Sequence, residues 1–291
     1  MKNSEISDPL FRDAVECIDA GDVASLKKLL NNNSRLVSEP LDLPTEGYFK
    51  NPYLLWFIAD NPIRHEKIPA NIAEITKIII DVARKHAFDS FQMQIDYTLG
   101  LVATGRIPKE CGVQIELVDL LIDEGAKPGN GHGAIAHGNI DAARQLVERG
   151  GKLTLATAIC LDQTEDIIRL AKEASVNDRQ VALMAAAFYG NVKMIRFLIS
   201  LGVDVNAYLD PSSGFHYHAS VLHQAVYSGS LEAVKLLIKE GANMEATDRI
   251  YQGTPLGWAK YMQTEEKDEI ARKKYVDIEA FLLSVPGRPG I

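Results

Sequence analysis

Residues 220–248, SVLHQAVYSGSLEAVKLLIKEGANMEATD, restrict the fold more than any other part of the chain. Val221, Leu222, Ala225 and Val226 fall at helical spacing, Gly229 interrupts them, and Leu231, Val234, Leu236, Leu237 and Ile238 begin a second apolar helix that Gly241 stops. Glycine adopts the left-handed conformation without a Cβ penalty. Gly229 therefore predicts a tight helix–helix turn, and Gly241 sits where a C-terminal helix stop belongs. A helix pair this small cannot bury its apolar face alone, so the pattern requires neighbours of the same kind.

Such neighbours are legible along the chain. Asp8-Pro9 predicts a capped first helix, with Ala14, Val15 and Ile18 before Gly21-Asp22 and Leu26, Leu29 and Leu30 after it. The apolar run 53–59, read as helix rather than strand, pairs with Ile72, Ile75, Ile78, Ile79 and Ile80 across an insertion at 60–70 that holds Pro62 and Pro69. Residues 98–103 pair with 115–125 across a second insertion, 104–114. Ala134-Ile135-Ala136 with Gly138 opens a fourth unit, and Ala158-Ile159-Cys160 a fifth, in which Gln163 is taken to replace the turn glycine. Residues 183–207 bring Ala186-Ala187, Gly190 and a closing GVDVN. The run GTPLGWA at 253–259 opens the last pair, and Ile278, Phe281, Leu282 and Leu283 close it.

This pattern resembles the ankyrin repeat, whose signature is a Thr-Pro-Leu-His-like opening, an Ala pair, a glycine turn, an apolar triplet and a closing Gly-Ala-Asp-Val-Asn run. Val221-Leu222-His223, Gly229, Leu236-Leu237-Ile238 and Gly241-Ala242-Asn243 match it, and only residues 183–259 match closely enough to stand alone. The turn markers Gly138, Gln163, Gly190 and Gly229 lie 25, 27 and 39 residues apart, against about 33 for the family. The resemblance thus implies an all-α ankyrin-repeat solenoid of about eight helix-turn-helix units with short β-like fingers. A single domain at 1–285 would comprise divergent repeats with enlarged turns at 1–128, short repeats at 129–180 and the closest-matching repeats with a C-terminal cap at 181–285, followed by a tail at 286–291. Enlarged early turns, short middle repeats and the GTPLGWA ending together are similar to bacterial ankyrin-repeat proteins that carry no assigned activity.

Charge and motifs narrow the function. The 31 basic and 39 acidic residues give a formal net charge of −8, which repels a phosphate backbone and argues against nucleic acid, leaving a basic protein surface as a candidate partner. The first residues hold no signal-peptide core and no apolar run reaches membrane length, so the expectation is a soluble, cytoplasmic monomer. Cys17, Cys111 and Cys160 are too scattered for a zinc pattern and read as reduced packing residues. His216 and His218 could share a metal, but His223 occupies the family's Thr-Pro-Leu-His position, where it hydrogen-bonds backbone between repeats. No Cys or paired carboxylate completes a ligand set, so no metal and no cofactor are expected. The glycines of PGNGHGAIAHG at 128–138 lack the Lys-Ser or Lys-Thr of a phosphate loop. No nucleophile elbow or metalloprotease helix is present, so no enzyme is expected.

Aromatic residues gather where the family's concave groove and fingers lie. Phe188 and Tyr189, Tyr227, Trp258 and Tyr261 sit near the turns of three consecutive first helices, and Tyr208, Phe215 and Tyr217 continue them on a finger. Aromatic side chains anchor interfaces because each buries a large area at small rotamer cost. These eight are the predicted partner-binding residues of a non-catalytic protein-protein interaction module. An inhibitor or immunity protein for a cognate enzyme or toxin is the nearest alternative, and a metal-dependent hydrolase the alternative of a different class.

Overall fold

Asp8 and Pro9 start the first helix as their order predicts. In the computed structural model, which describes residues 3–43 and 47–286, Asp8 accepts hydrogen bonds from the N–H groups of Leu10 (3.0 Å) and Phe11 (3.2 Å). Helix α1 (Pro9–Ala20) ends at Gly21 in the left-handed conformation, and Asp22 caps α2 (Val23–Asn32) through the Ser25 N–H. Helix pairs of this kind follow one another along the described residues, eight in all, and the fold is all-α.

The chain divides into two compact units, residues 1–152 and 153–291. In the first, α1 and α2 are followed by the short α3 (Arg35–Ser38), a 3-10 helix (Leu54–Ala59) and α4 (Ile72–His86). Then come α5 (Phe91–Thr104), the short α6 (Arg106–Glu110), α7 (Gln114–Asp123), α8 (His132–Ala136) and α9 (Ile140–Glu148). The apolar run expected as a helix takes the tighter 3-10 form, and all six of its side chains are buried, as its lack of a polar face requires. The insertion at 60–70 has its own polar core. Asp60 accepts the N–H groups of Arg64 (2.9 Å) and Glu66 (3.0 Å), while the Arg64 guanidinium donates to Asp19 (2.7 Å) and to the Phe57 carbonyl (2.8 Å). The insertion at 104–114 is taken up by α6, and the buried Gln114 amide donates to the carbonyls of Val102 (2.9 Å) and Gly105 (3.2 Å).

The second unit holds α10 (Leu155–Cys160), α11 (Thr164–Glu173), α12 (Val176–Phe188), α13 (Val192–Ser200), α14 (Val221–Tyr227), α15 (Leu231–Lys239), α16 (Pro255–Glu265) and α17 (Glu269–Ser284). First helices contact first helices, α10 on α12, α12 on α14 and α14 on α16, and second helices do likewise, α13 on α15 and α15 on α17. Ala182, Ala185 and Ala186 are fully buried in the first row and Leu198 and Leu237 in the second, so the apolar surface is covered chiefly by neighbouring repeats. Gly229 has φ 72°, so the turn favours glycine, and a Cβ there would lie 2.3 Å from Cδ of Lys274, whose flexible stem crosses the turn and would have to move.

One marker moves by a residue. Asp162, not Gln163, takes the left-handed conformation (φ 57°), and Gln163 is the residue before α11, as Asn191 is before α13 and Ser230 before α15. Aspartate tolerates positive φ better than most residues, so the turn survives without glycine. The fingers carry turns, bends and a 3-10 turn (Pro211–Ser213), with no strand among the described residues. Asn206 ties one finger to the next by donating to the Gly241 carbonyl (2.9 Å) and accepting from the Asn243 N–H (2.8 Å). Among the described residues no helix is long and apolar enough to cross a membrane. The tail expected at 286–291 lies, from residue 287 on, outside the described residues.

Candidate aromatic groove

Asp248 builds the finger that opens the site. Fully buried, it accepts the N–H groups of Ile250 (2.9 Å), Tyr251 (2.6 Å) and Gly253 (2.8 Å), and its Oδ2 also accepts the indole N–H of Trp258 (3.1 Å). Burial opposes ionisation, but these four donors outweigh it and hold the carboxyl below the usual carboxylate range. The loop so closed presents Ile250 and Tyr251 to solvent. Gly253 permits the close approach: a Cβ there would lie 3.0 Å from the Asp248 carboxylate and 3.1 Å from the Trp258 ring.

Helix α16 supplies the facing wall. Trp258, Tyr261 and Met262 are three and four residues apart and share one face, which with Tyr227, Tyr251 and His218 lines a groove of about 510 Å³. A continuous series of rings reaches it. Phe188 stacks on Tyr227 (5.2 Å between centroids, 15°) and on His216 (4.8 Å, 28°). His216 meets His218 edge to face (5.9 Å), and His218 lies over Trp258 (6.1 Å).

The structure sorts the eight expected partner-binding residues. Tyr227, Trp258 and Tyr261 come together in the groove, and Tyr227 and Tyr261 are exposed. Phe188 is half-buried and forms the floor beneath Tyr227. Tyr217 is exposed, its ring edge to face with His218. Tyr208 instead braces the finger, its hydroxyl donating to the Thr247 carbonyl (2.8 Å) and its ring carrying the Arg249 guanidinium at 4.7 Å. Tyr189 is half-buried beside Phe188, and burial, with Cys160 nearby, pushes its phenol well up. Phe215 is a correction: at 3 % exposure it cannot touch a partner and supports Phe188 and His216 from behind.

Tyr251 and Met262 lie outside the expected set, and His216 and His218, considered above only as a metal pair, join the aromatic series instead. Met262 was open to the three-and-four spacing rule. Tyr251 needed the Asp248 loop, and the histidines needed the knowledge that their rings fill gaps between aromatic neighbours.

His223 does what its position implies. The Ser220 N–H points at Nδ1 (3.3 Å), so Nε2 carries the hydrogen and donates it to the Gly253 carbonyl of the next repeat (2.9 Å). Burial lowers the pKa of both His223 and His218 from the ordinary 6.5, although Asp248 acts the other way on each. Their folded-state pKa values lie below the unfolded ones, so below about pH 6.5 the unfolded chain binds more protons. The stability due to the neutral rings is present above that pH and lost as pH falls through it. Chemical denaturation at pH 7.5 and 5.0 is expected to show a loss that His218→Gln reduces; equal losses in both proteins would exclude His218 as a contributor. The depressed carboxylates Asp8, Asp22, Asp210 and Asp248 act at lower pH, near 3.8 and below, and leave this window clear.

Among the described residues no three His, Cys, Asp or Glu side chains are placed to hold a metal ion. The three cysteines are free, and burial pushes Cys160 up to about 12, which keeps it protonated and unreactive. Residues 110–248 match the family model described as ankyrin repeats, in three copies. A search of curated proteins finds no match. The family match ends at the base of the Asp248 finger, so the last helix pair and the groove wall on α16 are placed by the structure.

Proposed function

Because this chain is an ankyrin-repeat protein, we propose that it is a non-catalytic module whose partner protein docks on the groove between the Asp248 finger and α16. Ankyrin repeats are in general protein-protein interaction modules. The observation that carries the location is the clustering of exposed rings, Tyr227, Tyr251 and Tyr261 around Trp258, on rigid helices and a loop fixed by a buried carboxylate. A preformed surface limits the ordering cost of association. The protein acts as a cytoplasmic monomer in this reading.

Interface energy concentrates in a few aromatic anchors, each worth about 2 kcal/mol or more on truncation. Tyr227→Ala and Trp258→Ala are expected to weaken binding of the captured partner at least about tenfold, since about 1.4 kcal/mol is one decade. Trp258 also holds Asp248, so Tyr261→Ala, which removes an exposed ring, is the control for indirect effects. Folding is checked by circular dichroism. Folded variants that bind with unchanged affinity, with binding abolished instead by deletion of the 60–70 insertion, would move the site to the first unit.

A further inference from the structure

The charge around the groove selects the chemistry of what enters it. No lysine or arginine lines it, and the imidazole that does, His218, is held toward its neutral form by burial. The nearby cations are engaged elsewhere. Arg249 lies over Tyr208, Lys274 over the Tyr275 ring at 4.9 Å, and Lys260 faces Glu279 at 3.9 Å. One carboxylate acts from behind a ring, where Asp248 accepts the Trp258 indole N–H, and a second, Glu265, stands one helical turn after Tyr261 at the end of α16. A ring that donates its N–H or O–H to an anion gains electron density, and the face of an aromatic ring is already its negative pole. The fold thus leaves Tyr251 79 % and Tyr261 60 % exposed around a slot with no Lys or Arg in its lining, in a chain of net charge −8.

We infer that the groove receives an arginine or lysine side chain from a basic segment of the partner protein, seated on the Trp258 and Tyr261 rings with Glu265 as counter-charge. Aromatic faces attract such cations within about 6 Å, Trp most strongly and Arg most often. An aliphatic or neutral aromatic group would cover the same rings but would leave their negative faces and the neighbouring Glu265 charge unmatched. This deepens the proposed function and rests on its location of the site.

The test uses the full chain labelled at tryptophan, in which Trp258 reports on the groove and the buried Trp56 serves as internal reference. The probes are Nα-acetyl-arginine methylamide and its neutral isostere Nα-acetyl-citrulline methylamide, with the lysine and Nε-acetyl-lysine pair alongside. The expected result is a saturable shift of the Trp258 indole signal by both cations, with the neutral isosteres at least roughly tenfold weaker. Glu265→Gln is expected to weaken the cations and leave the isosteres unchanged. Equal binding of citrulline, or no movement of Trp258 with any probe, overturns the cation assignment. Loss of partner binding in Tyr261→Ala would still support the docking site in either case, so the two readings fail separately.

Discussion

Leu237→Ala is expected to lower stability by about 2–5 kcal/mol, the range for truncating a buried leucine in a core that relaxes only in part. Leu237 is fully buried on α15, which contacts α13, α14 and α17, so the cavity would open where three helices meet. Repeat proteins derive their stability from such neighbour interfaces, and a whole domain typically has only about 5–15 kcal/mol in hand. Lys239→Ala, on the exposed end of the same helix, is expected to stay within about 0.5 kcal/mol. Urea denaturation followed by circular dichroism measures both. A cost for Leu237→Ala near that of Lys239→Ala would mean that the side chain is not at the interface between repeats.

Asp19→Ala is expected to cost about as much, about 3–5 kcal/mol, for an electrostatic reason. The Arg64 side chain is 1 % exposed, so a guanidinium charge is held away from water and depends on the groups around it. Nε and Nη1 already lack partners, and Nη2 is shared between Asp19 at 2.7 Å and the Phe57 carbonyl. Removing Asp19 leaves the cation with the Phe57 carbonyl at 2.8 Å, Asp60 at 3.8 Å and the face of Phe57 at 5.1 Å. Asp19→Asn keeps the shape and removes the charge, and is expected to be nearly as costly. If it costs less than about 1 kcal/mol, shape and not charge holds the insertion. The pair of variants also tests whether residues 1–285 behave as one domain. Asp19 belongs to the first compact unit and Leu237 to the second. A single cooperative domain has one transition that both substitutions lower, whereas two transitions, each moved by one substitution, would divide it.

Much of the fold could be read from the chain because repeat architecture is written in local terms. A glycine such as Gly229 marks a turn by its own backbone freedom, and leucines such as Leu236 and Leu237 declare a buried face by spacing alone. Charge, likewise, adds up without coordinates. The one-residue slip at Asp162 marks the limit of that reading: when glycine is replaced, the left-handed position no longer announces itself by residue type, and here an aspartate one residue earlier takes it. Exposure could not be read in the same way. Phe215 and Tyr217 stand two residues apart on one finger, yet the first is buried against Phe188 and the second faces solvent. Nothing in their immediate neighbours distinguishes them, because the difference is set by a helix almost thirty residues away in sequence. The same holds for Asp248, an unremarkable finger residue in the sequence, whose four acceptor bonds shape the groove only because α16 returns Trp258 to it. Sequence determined that helix pairs stack and roughly where rings gather; the tertiary structure alone decided which rings meet water, because burial is a property of what a distant segment covers.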